Sequence, residues 1–330
     1  MRSPITKTTL PARKINIVRP PMGQKHPAKV HHDPAIPPNT ASSPIPLPES
    51  EARQRARRKR AKALAASLAE WKGSTGAFVR HLDRQGVDYL SFSHVSSLEF
   101  CPYRYYLEFV RRIRLVPQPD YFIKGRILHE ALARYYRGFG RGRVPTPDML
   151  HKFIDRHNRA DGSQLKNAIT LAIQNVRQGW EVVAVEKPFI TDLGGSLPPC
   201  LGVVDLILRK NNCYAVVDHK SSRRFTDDDA DGLQLEIYRN FVRQSYKAEV
   251  CMAFYDEYRW VDDLGRIRKP AFRRVLLEYN LQEWESVLNR LVRAHEEMLA
   301  IRKGGRASGS GNCYMCPFKV RCPKASTSRW

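Results

Sequence analysis

The sequence predicts an α/β fold in which a mixed central β-sheet is flanked by helices. Three observations support this prediction. Segments with apolar residues at three-to-four spacing, typical of helices, occupy residues 91–179. Short runs rich in β-branched residues follow at 182–190, 200–208 and 213–220. A further helical segment then separates these runs from two more strand-like segments, an order typical of a sheet covered by helices.

The first element is a basic, proline-rich tail over residues 1–50. Its 11 prolines argue against helix and sheet, so we expect disorder. Residues 49–72 consist of good helix formers, and we assign residues 51–89 to a basic helical linker. The first 62 residues carry 14 Lys and Arg against three acidic residues. Such an arm can hold DNA through counterion release, or it can serve as a solubilising tail.

The remaining residues, 90–330, are expected to form one domain. Helices are predicted at 91–112, 125–138 and 165–179, followed by the three strand-like runs above. A helix at 232–244, strands at 251–258 and 273–279, and a closing helix at 282–303 complete the pattern. The order of helices, strands, helix, strands and helix indicates a mixed sheet with helices packed on it.

Composition narrows the class of partner. The 330 residues include 56 Lys and Arg against 33 Asp and Glu, a formal charge of +23 that favours polyanions. No run of about 18 apolar residues is present, so neither a transmembrane helix nor a membrane partner is expected. A secretory signal is also lacking, which indicates a cytoplasmic or nucleoid-associated protein; organelle targeting stays open for a eukaryotic source, although the prolines argue against it.

Two acids and a lysine on adjacent predicted strands carry the main chemical signal. Asp205 lies on the run 200–208, and Asp218 and Lys220 end the run 213–220. Residues two apart in a strand face the same side, so Asp218 and Lys220 project together. Carboxylates can hold Mg²⁺ or Mn²⁺ for phosphodiester hydrolysis, and the lysine can stabilise the transition state. An isolated Asp-x-Lys, however, is most often an ordinary ion pair.

The surrounding residues favour a metal site over an ordinary ion pair. His129 stands in a helical Gly-x-x-x-His, Glu186 lies near the end of the preceding strand, and Gln234 and Tyr238 share one helix face. In this order, and over residues 91–323, the chain resembles the RecB-like branch of the PD-(D/E)XK nucleases. That branch includes the AddB nuclease domain, CRISPR-associated RecB-type exonucleases and the exonuclease V family.

The resemblance implies a restriction-endonuclease-like core and a role for each matching residue. His129, Asp205 and Asp218 are expected to bind metal, Lys220 to be catalytic with Asp205, Asp218 and Glu186, and Gln234 and Tyr238 to position DNA. It also favours an exonuclease acting on single strands or ends of DNA, while branched DNA, RNA and duplex ends stay open as substrates. A helicase or a repair or recombination protein is a possible partner, and the sequence leaves open whether the protein works alone. A non-catalytic subunit with the same fold is the alternative.

Four cysteines predict a second metal site. Cys313, Cys316 and Cys322 form a short C-terminal group, and Cys101, which also precedes a proline, supplies the fourth thiol. Four thiolates suit Zn²⁺ or a [4Fe-4S] cluster, and the spacing alone leaves both open. The resemblance favours an iron-sulfur cluster over the zinc of a zinc-stapled DNA binder, and it predicts a C-terminal cluster-binding segment. The other cysteines, Cys200, Cys213 and Cys251, are assigned to the core.

The segment after Cys101 combines aromatic and cationic residues. Tyr103 and Arg104 begin it, and its aromatic rings can stack on bases while its cations follow phosphates. Helix packing with a solvated basic face is the other interpretation. We expect Tyr103 and Arg104 to contact DNA.

Overall fold

The fold is a five-stranded sheet with helices on both faces. The computed structural model describes residues 50–222, 232–261, 267–277, 281–309, 313 and 316–324. These belong to a unit that spans Pro48–Trp330. The helices in it are α1 (Glu51–Glu70), α2 (Thr75–Arg84), α3 (Phe92–Phe100), α4 (Pro102–Tyr105), α5 (Asp120–Gly140), α6 (Pro147–Asp155), α7 (Gly162–Gln174), α8 (Leu233–Tyr246) and α9 (Leu281–Arg302). The strands are β1 (Glu181–Thr191), β2 (Cys200–Lys210), β3 (Cys213–Ser222), β4 (Glu249–Val261) and β5 (Ile267–Leu277).

The sheet follows chain order, β1-β2-β3-β4-β5, and is mixed. β3 and β4 pair in parallel, with Asp218 beside Tyr255, while the other neighbours are antiparallel. α8 makes the crossover that a parallel pair requires. The predicted fold class, a mixed central sheet flanked by helices, is confirmed.

Alternating strand residues divide the core into two layers. Ile207 and Val216, which are paired across β2 and β3, face one layer, which is completed by α3, α8 and α9. Leu206 and Val217 face the other layer, against α5, α6 and α7. This period of two is what buried strands between helices require. The site described below lies where β2 and β3 meet these helices.

The segment assigned to a linker packs on the edge strand of the sheet. Phe78 and Leu82 of α2 form a small core with Ile190 of β1. Arg57 of α1 donates a 2.5 Å hydrogen bond to Asp192, directly after β1. These contacts place α1 and α2 against the sheet. The predicted tail, residues 1–50, lies outside the described residues except for Ser50.

The helix predicted over residues 91–112 is wrong in one respect, because it is interrupted. Cys101 has an extended backbone (φ −170°, ψ 116°) between α3 and α4, and Pro102 begins α4. Proline suits the first turn of a helix but cannot continue one. A π-helical turn, Tyr106–Val110, follows α4. The prediction also misses α6, does not separate α2 within the helical linker assigned to residues 51–89, and begins α5 five residues late.

No helix in the described part of the chain combines the length and apolar character needed to cross a membrane.

Candidate active site

Two buried carboxylates lie on neighbouring strands at the centre of the sheet. Asp205 is on β2 and Asp218 is on β3, and these strands pair antiparallel with Leu206 opposite Val217. Asp205 Oδ2 accepts a 2.8 Å hydrogen bond from the backbone N–H of His219. The bond fixes the Asp205 carboxylate against β3, beside the position of Asp218.

His129 of α5 and Glu186 of β1 bring two more ligand-type side chains to Asp205. His129 Nδ1 lies 3.5 Å from Asp205 Oδ2 and 4.0 Å from Glu186 Oε1. One ligand atom from each of the three residues lies within 4.8 Å of the others. The fold thus gathers three residues that are 57 and 19 positions apart in sequence into a candidate metal site.

Glu186 has a strained backbone in the middle of β1. Its φ is 49°, in the left-handed region that residues other than glycine rarely adopt. Regular pairs flank it, Val185 with Leu206 and Lys187 with Val204. Such a conformation costs on the order of 1–3 kcal/mol and is concentrated at functional sites. The strain therefore supports Glu186 as a member of the site.

Lys220 and Asp218 form a close ion pair on one face of β3. Lys220 Nζ lies 2.7 Å from Asp218 Oδ2, and the Asp218 side chain is only 2% exposed. Among the described residues, Oδ2 nevertheless receives no aligned hydrogen bond. A buried carboxylate oxygen without a hydrogen bond is well suited to accept a metal cation.

A hydrogen-bonded chain from α8 supports this pair. Gln234 Oε1 accepts a 2.6 Å hydrogen bond from Lys220 Nζ, and Gln234 Nε2 donates to the Tyr238 hydroxyl at 2.6 Å. That hydroxyl donates to the Val203 carbonyl at 2.6 Å and lies 3.4 Å from Asp218 Oδ1. Tyr238 is 4% exposed, so its hydroxyl faces Asp218 and not the protein surface.

Two aromatic rings that the sequence analysis misses also border Lys220. Its Nζ lies 5.6 Å from the ring centroid of Phe92 and 5.5 Å from that of Tyr255. Both distances fall within the range of cation–π attraction. No local sequence signal identifies these rings, because each occupies an ordinary apolar position in its own element.

Two glycines near the site allow close approach of neighbouring elements. A Cβ on Gly125 of α5 would lie 3.1 Å from Ser221 Oγ, directly after Lys220 in β3. A Cβ on Gly202 of β2 would lie 2.7 Å from the ring of Phe189. Gly125 therefore lets α5 approach the end of β3, while Gly202 leaves room for an aromatic ring over the strand that carries Asp205.

Burial opposes charge throughout this cluster. Burial, followed by repulsion from Asp218, raises the pKa of Asp205 well above its usual range. Burial also raises the pKa of Glu186 and lowers that of His129. Clustered carboxylates in such a place need a cation to offset their repulsion. Oxygen ligands suit Mg²⁺ and Mn²⁺, and one imidazole is compatible with Mn²⁺, so the residues fit a divalent ion.

The ring of His219 lies in the core and not with the carboxylates. It stacks on Tyr136 with ring centroids 5.9 Å apart, and its Nδ1 is 3.5 Å from the Tyr258 hydroxyl. Burial lowers the pKa of His219 well below its usual range, so the ring is neutral. This agrees with the strand alternation, which turns His219 away from Asp218 and Lys220.

The four cysteines assigned to a cluster line one cavity. Cys101, Cys313, Cys316 and Cys322 are each half-buried and surround it together with Phe100 and Leu107. Burial, with the neighbouring thiols of Cys101 and Cys322, raises the pKa of Cys316. A backbone hydrogen bond of 3.0 Å from the Tyr103 N–H to the Ser308 carbonyl joins α4 to the C-terminal segment. The donor set fits a group held by four sulfur ligands.

Tyr103 and Arg104 lie at this cavity and not at the carboxylate site. Both line the cavity, and Lys324 Nζ is 4.6 Å from the centroid of the Tyr103 ring. Arg104 Nε donates to Glu108 at 3.4 Å. Their predicted contact with DNA is therefore not supported by proximity to the acids.

The other three cysteines divide into two kinds. Cys200 is fully buried, as predicted for a core residue. Cys213 and Cys251 are instead joined in a disulfide near the starts of β3 and β4, and Cys251 is exposed. Assigning them to the core was wrong, because Cys213 is only half-buried, Cys251 is exposed, and neither belongs to a core layer.

Comparison with known proteins gives a family. The sequence profile of the PD-(D/E)XK nuclease superfamily matches residues 89–323. No protein of curated function matches the chain.

Two solved structures are similar in part. One is a protein from Eubacterium rectale, provisionally named an exonuclease, with 12% identity and a TM-score of 0.48, covering 76% of this chain and 93% of its own. The other, SSO0001, has 17% identity and a TM-score of 0.37, covering 84% of this chain and 99% of its own.

Proposed function

The chain belongs to the PD-(D/E)XK nuclease superfamily, and we propose that it is a metal-dependent exonuclease that hydrolyses DNA. The observation that carries this proposal is the convergence of His129, Glu186 and Asp205 within 4.8 Å. The Asp218–Lys220 pair lies beside them on β3. These are the residue types that divalent-metal hydrolysis of a phosphodiester requires.

Each side chain has a distinct role in the proposal. His129, Asp205 and Asp218 hold the metal, and Glu186 supplies a further carboxylate beside it. A bound Mg²⁺ or Mn²⁺ would supply Lewis acidity, activating water and offsetting the charge that builds on the phosphate. Lys220 directs a fixed ammonium at that developing charge.

In this proposal, Gln234 and Tyr238 are positioning residues. Gln234 holds Lys220 Nζ at 2.6 Å, and the buried Tyr238 hydroxyl borders Asp218. A lysine side chain is flexible, so a fixed partner reduces the entropy lost when the ammonium is oriented. The role proposed here replaces the direct DNA contact that the family resemblance implies.

DNA with a single strand or a free end is the proposed substrate. The charge of +23 favours a polyanion. A helicase or another repair or recombination protein that exposes such strands would be a suitable partner. Both the DNA and such a partner protein would be present in the cytoplasm or nucleoid.

Digestion of end-labelled DNA tests this function. Single-stranded DNA, duplex DNA and RNA of one sequence are incubated with the purified protein in Mg²⁺, in Mn²⁺ and in EDTA. We expect DNA to be shortened stepwise with either metal and to stay intact in EDTA. A protein that binds these strands but cuts none of them would favour the alternative, a non-catalytic subunit.

We also propose that the four cysteines hold a [4Fe-4S] cluster. The four thiols line one cavity, which supports a shared group held by four sulfur ligands. The family resemblance favours the iron-sulfur cluster over zinc. The cluster would join Cys101 to the C-terminal segment.

Metal analysis after anaerobic purification tests the cluster. We expect a brown protein with about four iron and four sulfide per chain, both lost in Cys316→Ser. Ala160→Ser, at an exposed position, is the control and should keep the colour. A colourless protein with one zinc per chain would contradict the proposal.

A further inference from the structure

Two aromatic side chains at the start of α5 are unusually exposed. Tyr121 is 51% exposed and Phe122 is 48% exposed, and among the residues whose side chains are described no other aromatic residue is in the exposed class. Their rings stack on each other with centroids 4.5 Å apart. Neither residue belongs to the described core clusters. The two rings therefore present aromatic surface to the solvent.

The position of these rings relates them to the carboxylate site. Phe122, Arg126 and His129 follow at i, i+4 and i+7, a spacing that puts them on one stripe of α5. Seven residues of helix span about 10 Å. Gly125, one turn after Tyr121, faces Ser221 at the end of β3. The rings thus lie beyond the end of the strand that carries Asp218 and Lys220.

An exposed cation lies on the same stripe of α5 as Phe122. Arg126 is exposed between Phe122 and His129. The acid Asp120, at the start of α5, is paired with Arg159 at 2.6 Å. An exposed aromatic pair beside an exposed cation complements nucleic acid, because bases stack on rings while cations hold phosphates.

We propose that Tyr121 and Phe122 form a stacking platform for a base of the substrate strand, and that Arg126 holds the phosphate between this base and the metal site. The proposal rests on the nuclease function proposed above and deepens it. It places the strand along α5, from the rings at one end to His129 at the other. Stacking recognises any base, so the platform favours strands with unpaired bases over intact duplex.

Binding measured without cleavage tests the platform. Fluorescence anisotropy of a labelled single-stranded oligonucleotide in EDTA is compared for the wild type, Tyr121→Ala, Phe122→Ala and Phe122→Trp. Base stacking on one ring is lost in each alanine variant, so we expect the Kd to rise about tenfold. Phe122→Trp keeps a stacking surface and should keep the wild-type Kd.

The control is Met149→Ala, which removes an apolar side chain of similar exposure, 61%, from α6. It should leave the Kd unchanged, and circular dichroism should give all variants the wild-type spectrum. Fluorescence of a 2-aminopurine base in the oligonucleotide reports stacking directly, and we expect its quenching to be lost in Phe122→Ala.

The outcomes separate this proposal from the proposed function. An unchanged Kd and unchanged quenching in both alanine variants would overturn the platform, even if the wild type cuts DNA. That result would favour contact of the rings with a protein partner. Weaker binding in the alanine variants of a protein that cuts nothing would support the platform while the nuclease function fails.

Discussion

At the scale of single residues, Asp205 carries the highest electrostatic cost in the site. It is 8% exposed, lies beside Asp218, and takes part in the cluster with His129 and Glu186. Burial and the Asp218 charge both disfavour its ionised form. A bound cation would remove this cost, so the site stabilises the folded protein only when it is loaded.

The first prediction concerns Asp205→Asn. Without metal the variant should gain about 1–2 kcal/mol in free energy of unfolding at about pH 8, because a buried charge is removed. The raised pKa means that the wild type recovers this energy as acidification protonates Asp205, so the difference should shrink as the pH falls. Urea unfolding in EDTA measures it.

Adding Mn²⁺ provides the control for this prediction. The ion should raise the stability of the wild type and not that of Asp205→Asn. If the variant were less stable than the wild type in EDTA at about pH 8, Asp205 would carry no buried electrostatic cost.

The second prediction concerns His94, a buried histidine far from the carboxylates in sequence. It is 3% exposed among aromatic rings, and burial, followed by the charge of Arg302, lowers its pKa to about 3. A lowered histidine pKa gives stability that is complete above about pH 6.5 and is lost as the pH falls toward the folded pKa. Because of this residue, the free energy of unfolding of the wild type should fall by about 1 kcal/mol per pH unit between about pH 6 and pH 4.

His94→Gln should remove that share of the acid dependence, whereas the exposed His157→Gln should retain it. Urea midpoints across this pH range give the slopes. Equal slopes for the wild type and His94→Gln would show that His94 is protonated without cost.

At the scale of elements, the sequence predicts the strands well because continuous apolar runs mark them, and β2 and β3 are buried on both faces. Continuous apolar runs mark β1, β2 and β3, and the predicted positions of Asp205 and Asp218 follow from them. The interruption of the helix at Cys101 escapes prediction, since the apolar period continues through Pro102. The strained φ of Glu186 escapes it as well, because neighbouring strands impose it and not its own residue type.

The third prediction tests the fit between two strands. Gly202→Ala brings a Cβ within 2.7 Å of the Phe189 ring, so overpacking should lower the free energy of unfolding by about 1–3 kcal/mol. Phe189→Leu in the same chain should restore part of this loss. Gly162→Ala, where a Cβ meets nothing within 4 Å, is the control and should change stability by less than about 1 kcal/mol.

A double-mutant cycle in urea measures the coupling between Gly202 and Phe189. Additive effects of the two substitutions would contradict the close contact.

At the scale of the whole molecule, the C-terminal residues return to the first helices of the domain. Arg290 of α9 binds Glu99 of α3 through two 2.6 Å hydrogen bonds, and Arg302 binds Tyr105 at 2.8 Å. The cavity lined by the four cysteines lies where the C-terminal segment meets these first helices. Spacing predicts the C-terminal trio, and the proline after Cys101 indicates the fourth thiol, but the folded chain is needed to bring all four to one cavity. The place of the exposed rings on α5 relative to His129 likewise requires the folded chain.

The fourth prediction follows from this closure. Cys316→Ser should lower the free energy of unfolding by about 2–5 kcal/mol, the size expected for the loss of a structural crosslink. Limited proteolysis should then cut after Arg302, ahead of any cut in the sheet. Cys200→Ser replaces a thiol outside the cavity. Its free energy of unfolding is measured beside that of Cys316→Ser, and its iron content should equal that of the wild type. Wild-type resistance of Cys316→Ser to protease would contradict a closing role for the cavity.

The central claim is that DNA is cut at the cluster around Asp205 and Asp218. The most direct measurement is the cleavage rate of a labelled single strand in Mg²⁺ by the wild type, Asp218→Asn and the control Glu130→Gln, whose exposed side chain pairs with Arg134. We expect Asp218→Asn to be slower by at least about a hundredfold, because several kcal/mol of metal-dependent stabilisation is lost. Glu130→Gln should cut at the wild-type rate. Wild-type cutting by Asp218→Asn would contradict the assignment of the active site.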